Sequence, residues 1–232
     1  MTKNYLPKGF VYLKEIAPDI YQSLDYGTPF NFTGAVVPGY EVPEAILTQE
    51  AAEALALVQE DVSKEGFSLV VYDAYRPNRA VKSFLDWQKT PETKALKALY
   101  YPFLSKDLLF EKGYLSRQSA HSRGSTVDLS LISQGKSLIP FPKRFLGDRL
   151  LPSGHTIPFC SDGTIDMEGH FDLFDLSSHH DSRLVSLEAL ERRNFLKEKM
   201  LKRGFLSYMR EWWHYTLQKE PFLETFFDFP LA

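Results

Sequence analysis

The 232-residue chain has one cysteine, Cys160. A lone thiol cannot close an internal disulfide and cannot build a multi-cysteine metal site. Charge of one sign is not in surplus either: 27 Lys and Arg stand against 30 Asp and Glu, a formal net charge of −3. That balance gives no electrostatic footing for nucleic acid or for an anionic membrane surface. No apolar run approaches the roughly 18–20 residues that cross a bilayer, and the opening stretch 1–10 has no apolar segment like a secretory leader. Repeats, low-complexity tracts and long Gly/Ser linkers are missing. These absences predict a cytoplasmic protein with no nucleic-acid and no membrane partner, and they leave a homodimer open. Cys160 reads as a packed or partly exposed thiol.

What is present is apolar material, 44% of the residues, enough for one sizeable core or two small ones. Residues 1–47, rich in Tyr, Phe, Pro and Gly, read as strands and irregular loop. Residues 48–65 read as a helix: Thr48 can cap it, Ala51, Leu55, Val58 and Val62 recur at helical spacing, and Gly66 can end it. The β-branched run 67–72 predicts a buried strand. Arg76-Pro77 then opens a helix through Ala80, Phe84 and Trp87. Residues 92–112 read as helix broken at Pro102. Residues 126–132 read as a strand, with Asp128, Ser130 and Ile132 on one face and Leu129 and Leu131 on the other. The segment 133–165, with Pro140, Pro142, Pro152 and Pro158, reads as a long surface loop or insertion. A helix over 186–203 has two apolar stripes, Leu187/Leu190/Leu201 and Ala189/Leu196/Met200, which predicts packing on two sides. Gly204 stops it, and strands over 205–208 and 212–217 follow. Helices and strands alternate without a βαβ rhythm, so the predicted class is α+β in a single domain, 1–232.

Two segments carry chemistry: Ser119-Ala-His-Ser-Arg-Gly-Ser-Thr-Val-Asp128 and Glu211-Trp-Trp-His214. Together they offer two imidazoles and a carboxylate for zinc, with a further carboxylate beside the last imidazole. Three protein ligands leave a tetrahedral zinc one open position for water. A loop that turns at Gly124 and enters a strand at Val127 can bring His121 and Asp128 to one point. Glu211 and His214 would share a face on a helix. Trp212, Trp213 and Tyr215 favour a strand, on which the two point apart unless the chain bulges between them. Glu211 is therefore expected just before the strand or at a bulge. Taken singly, plainer readings serve as well: His121 capping a turn, Asp128 paired with a surface arginine, Glu211 a solvated strand end beside core tryptophans, Arg76 in an ion pair with Asp73. His155, His170, His179 and His180 read as turn or cap residues.

Taken together, the pattern Ser-x-His-x-x-Gly-x-x-x-Asp followed by Glu-x-x-His resembles the zinc D-Ala-D-Ala peptidases, above all the D-alanyl-D-alanine dipeptidases associated with vancomycin resistance. The likeness recurs in Tyr26-Gly-Thr-Pro-Phe-Asn-Phe-Thr-Gly34, Tyr40-Glu-Val, Asp73-Ala-Tyr-Arg-Pro-Asn-Arg-Ala-Val81, Tyr100-Tyr-Pro102, Phe171-Asp172, Ser178-His-His180 and Phe227-Asp-Phe-Pro230. The resemblance implies a central antiparallel sheet flanked by helices, shared with the hedgehog domain. It implies one zinc ion per chain on His121, Asp128 and His214, Glu211 as general base, and Arg76 steadying the transition state. It further implies Asp172, Tyr26 and Ser119 holding the ends of a D-Ala-D-Ala dipeptide, which a zinc-bound water cleaves to free D-alanine. Two departures stand near the implied pocket. The family usually has Met-Gly before its Phe-Asp, where this chain has Met167-Glu-Gly-His-Phe-Asp172, and residues 133–165 look longer than the family's connection. A zinc D,D- or L,D-carboxypeptidase of peptidoglycan stem peptides, or a catalytically silent zinc-binding module, are the competing readings.

Overall fold

The computed structural model describes residues 6–42 and 44–231; the first residues of the expected irregular opening stretch lie outside them. In chain order the elements are β1 (Phe10–Tyr12), α1 (Leu13–Ile16), β2 (Tyr21–Gln22), β3 (Ile46–Thr48), α2 (Gln49–Ser63), β4 (Phe67–Asp73), α3 (Asn78–Gln88), α4 (Lys94–Tyr100) and α5 (Lys106–Glu111). Then come β5 (Thr126–Ser133), β6 (Phe145–Leu150), β7 (Thr156–Ser161), α6 (Leu187–Lys202), β8 (Phe205–Tyr208) and β9 (Glu211–Leu217). The class is α+β.

Local chemistry explains the best-formed helix. The Thr48 hydroxyl accepts from the Ala51 amide at 3.4 Å and so caps α2. Ala51, Leu55, Val58 and Val62 are fully buried along one face. They join a core with Leu69 and Val71 of β4 and Leu129 and Leu131 of β5. Register makes this possible, because Leu69 lies opposite Leu131 and Val71 opposite Leu129. Burying each of the Leu and Val side chains stabilises by roughly 1.5–3 kcal/mol. The intervening residues face the other way: Val70, Tyr72 and Ile132 form a separate small cluster.

The main sheet has the order β2-β4-β5-β9-β8. β4, β5, β9 and β8 are antiparallel, as expected, whereas β2 adds a parallel edge to β4. The chain between those two strands is long, passing through β3 and α2, and so permits the crossover a parallel pair needs.

Two expectations need correction. The segment 133–165 is not all loop: β6 and β7 pair antiparallel, with Pro158 opposite Asp148. A two-stranded ribbon has only edges, and an edge tolerates proline. The second correction concerns α6, whose Leu187/Leu190/Leu201 stripe is only partly covered, Leu190 alone packing against a small cluster around Leu151 and Ile157. Ala189, Arg193, Leu196 and Met200 are inward, while Leu187 is 75% and Leu201 44% exposed. The inward face centres on a charged residue that hydropathy spacing does not count as apolar.

Candidate active site

Ser119 opens a 3-10 turn over Ala120–Arg123, its hydroxyl accepting from the His121 amide at 3.3 Å. Gly124 closes that turn at φ 84°, where any side chain would also run into Phe10. The chain then enters β5 and reaches Asp128. His121 Nδ1 lies 2.7 Å from the carbonyl of Ala74. A carbonyl only accepts, so Nδ1 carries the hydrogen and Nε2 keeps a free lone pair.

Asp128 pairs with His214 across the β5–β9 ladder. Asp128 Oδ1 is 2.9 Å from His214 Nδ1, Asp128 Oδ2 is 3.2 Å from His121 Nε2, and the two ring nitrogens are 3.3 Å apart. Ligand atoms on a zinc tetrahedron with bonds of about 2.0–2.1 Å lie about 3.4 Å from one another. The spacing and the two-nitrogen, one-oxygen donor set both fit that ion, and these three residues could hold it. Burial alone would raise the Asp128 carboxyl. The charges and hydrogen bonds of the two imidazoles outweigh it and hold the group well below the usual carboxylate range. Burial lowers His214, opposed by Asp128.

Glu211 reaches the same point because β9 bulges. One step along β8, from Ser207 to Tyr208, is matched by four along β9, from Tyr215 to Glu211. Trp212, Trp213 and His214 thus have no partner on β8, and Glu211 Oε2 comes to 3.6 Å from His214 Nδ1. Burial, then the charges of Asp128 and Asp172, push the Glu211 carboxyl well above its ordinary range.

Arg76 follows the end of β4. It donates from Nε to Asp73 Oδ2 at 2.8 Å, and its Nη2 lies 2.6 Å from the same oxygen and 3.5 Å from Asp128 Oδ2. The plain ion pair with Asp73 therefore exists, yet the guanidinium also faces the cluster. Tyr40 donates to the other Asp73 oxygen at 2.6 Å. On the far side Tyr26 donates to Asp172 Oδ2 at 2.8 Å. Asp172 sits at φ 62°, a left-handed conformation that aspartate tolerates better than most residues. Burial, and then the Asp128 charge, raise its carboxyl well above the usual range.

All eight residues singled out from the sequence, Tyr26, Arg76, Ser119, His121, Asp128, Asp172, Glu211 and His214, line one cavity of about 390 Å³. Tyr114, Phe174, Tyr208 and Trp213 add aromatic wall to it, and the Tyr208 hydroxyl donates to the Gly113 carbonyl at 2.8 Å. Sequence reasoning missed Tyr40 as the partner of Asp73 and Tyr208 as a wall. Neither has a local signal, since each depends on a contact far along the chain. The other histidines stand apart from the cluster. His155 pairs with Asp175 at 3.1 Å, and His170 packs on Tyr100. His179 closes a 3-10 turn and meets the Tyr114 hydroxyl at 2.9 Å. His180 lies in a turn, its amide donating to the Met209 carbonyl at 3.0 Å, and its ring is fully buried against Tyr215.

Two imidazoles and a carboxylate that could hold a metal converge beside this cavity, and by its family match the chain is a metallopeptidase. The chain belongs to the D-Ala-D-Ala dipeptidase family, whose model matches residues 7–139 and 161–232. It is similar to the D-alanyl-D-alanine dipeptidase of Enterococcus faecium, 36% identical over 223 residues, covering 96% of this chain and 98% of the relative. The corresponding dipeptidase of Streptomyces coelicolor (strain ATCC BAA-471 / A3(2) / M145) is 38% identical with the same coverage. That of Escherichia coli (strain K12) is 27% identical, covering 88% of this chain and 82% of the relative. The family match omits residues 140–160, which hold all of β6 and all but the last residue of β7.

Proposed function

We propose that this enzyme hydrolyses the dipeptide D-Ala-D-Ala to two molecules of D-alanine, with one zinc ion held by His121 Nε2, the Asp128 carboxylate and His214 Nδ1. When bound, zinc polarises the scissile carbonyl and acidifies water. Glu211 acts as general base: a carboxyl raised by burial holds a proton more readily near neutral pH, so it can take one from the attacking water and return it to the leaving amine. Such transfer contributes on the order of 10²–10⁴-fold. Arg76 carries a permanent charge and a planar donor fork, suited to the oxyanion that develops as the carbonyl becomes tetrahedral. Asp73 and Tyr40 hold that fork in place.

Asp172 pairs with the substrate ammonium, whose charge offsets the cost of the buried carboxylate, and Tyr26 orients it. Ser119 accepts the His121 amide on one lone pair and keeps its O–H for the carboxylate end of the dipeptide. A blocked amino terminus would leave Asp172 buried and unpaired, which is how such a site discriminates strongly. The same reading takes residues 1–232 as one domain with an insertion at 133–165 and assigns the enzyme to the cytoplasm, where free dipeptide would be its substrate.

The observation that carries this reading is the convergence of His121, Asp128 and His214 within hydrogen-bonding distance, with Glu211 3.6 Å from one of them. The test is a panel of D,D-, L,D- and L,L-dipeptides together with an N-blocked pentapeptide, each with the zinc-loaded protein and a chelated control. Turnover confined to free D,D-dipeptides and abolished by chelation supports the proposal. Preference for the blocked pentapeptide would make the enzyme a carboxypeptidase, and no turnover with zinc fully bound would make it a silent binding module.

A further inference from the structure

Arg193, in the middle of α6, is completely buried. All five of its hydrogen bonds among the described residues go to backbone carbonyls: Met167 from Nε at 3.0 Å and from Nη2 at 2.5 Å, Glu168 from Nη2 at 3.3 Å, and Ser177 and His179 from Nη1 at 2.8 Å each. Burying a guanidinium among dipoles alone is costly, and the cost is tolerated only where every donor is used. Burial lowers its pKa to about 10, so the group stays charged at neutral pH.

The four carbonyls lie at the two ends of one irregular segment, 167–179, and Asp172 lies between them. That segment contains both non-glycine residues with positive φ among the described residues, Glu168 at 53° and Asp172 at 62°. Such conformations persist where the surroundings over-determine them. Gly169 brings the backbone beneath the guanidinium, since a Cβ there would stand 3.6 Å from Arg193 Nη2. The segment also includes the Glu-Gly-His stretch in which this chain departs from the usual Met-Gly spacing.

We infer that Arg193 is a positioning residue for the substrate's amino end, clamping both flanks of the 167–179 segment so that the Asp172 carboxylate is fixed in the cavity. It touches neither substrate nor metal. The inference rests on the proposed ammonium role of Asp172, and the experiment separates the two.

Full-length, zinc-loaded Arg193→Met, Arg193→Lys and Asp172→Ala are compared with the parent, with near-UV circular dichroism reporting the fold. Hydrogen exchange is followed at amides 168–178, and kcat and KM are measured for D-Ala-D-Ala and for its N-acetyl derivative. In Arg193→Met, exchange in 168–178 is expected to quicken by roughly tenfold or more while β4 and β5 keep their protection. KM for the free dipeptide should rise roughly fivefold or more, with kcat changing less, and preference over the N-acetyl derivative should fall by about tenfold. Arg193→Lys should lie between, since one ammonium cannot span both flanks. A residue that merely supports α6 would lower stability and leave loop exchange and selectivity within about twofold of the parent. That result in either folded Arg193 variant overturns the inference, so a failure of Arg193→Met to fold leaves Arg193→Lys to decide. If Asp172→Ala loses selectivity while both Arg193 variants keep it, the clamp is wrong. If Asp172→Ala keeps selectivity while Arg193→Met frees the segment, the clamp stands and the ammonium role of Asp172 falls.

Discussion

The Tyr26 hydroxyl donates to Asp172 across 146 residues of chain, at 2.8 Å and with both side chains buried. Tyr26→Phe keeps the ring and its packing on Phe32 and Tyr40 while deleting that donor. A hydrogen bond to a charged group contributes about 1.5–3 kcal/mol, so kcat/KM for D-Ala-D-Ala should fall roughly 10–150-fold. Steady-state kinetics decide it, and an unaltered kcat/KM would detach Tyr26 from the substrate's amino end.

Glu211→Gln preserves shape and removes the base. Zinc content by elemental analysis should stay at one per chain while kcat drops on the order of 10²–10⁴-fold. Near-normal turnover in the zinc-loaded variant would assign the proton transfer elsewhere.

Arg76 is tied to Asp73, so its removal mixes two effects. Arg76→Ala leaves a buried carboxylate uncompensated, with a stability loss of about 3–5 kcal/mol expected in urea titrations. Arg76→Lys keeps the charge and loses the fork. It should fold and lose roughly 10²–10³-fold in kcat, near the value of one lost oxyanion donor. A lysine variant with full kcat would reduce Arg76 to its ion pair.

His180 predicts an acid sensitivity of the fold. Burial, with nearby Lys197, Arg193 and His214, lowers it to about 3, against an ordinary value of 6.5. The unfolded chain therefore takes up a proton near pH 6.5 that the folded chain refuses until about pH 3. Its contribution is complete above the unfolded value and drains away below it, by about 1.4 kcal/mol per pH unit. Between pH 6.5 and 5 the parent should lose about 2 kcal/mol more stability than His180→Leu in urea unfolding. Parallel curves for the two proteins would refute this assignment.

Metal removal should show in stability as well as in turnover. An ion bound only by the folded chain adds about 4 kcal/mol at a thousandfold excess over its Kd, roughly 8–16 °C in Tm for a chain of this size. Chelation should abolish that increment, and His121→Ala should have none to lose. A Tm for the parent that does not respond to zinc would count against the ligand set.

The parts of the fold legible in the sequence are those whose causes are local. Helix α2 has its cap, spacing and stop within about twenty residues of chain. The β9 bulge was legible for a different reason: strand alternation and convergence of Glu211 with His214 contradict each other unless the chain bulges. What escaped depends on distant partners. The β6–β7 ribbon was hidden by prolines, because edge position cannot be read from spacing. Tyr40 reaches Asp73 from 33 residues away. Arg193 breaks the apolar stripe of α6 because its partners are carbonyls of another segment, which hydropathy does not record.

The β9 bulge has a practical consequence. It places two of the chain's three tryptophans, Trp212 and Trp213, between Glu211 and His214, with ring centres 5.3 Å apart and Trp213 on the cavity wall. The protein thus carries a built-in optical reporter where ion and dipeptide would bind, so occupancy should be readable from indole emission without any attached label.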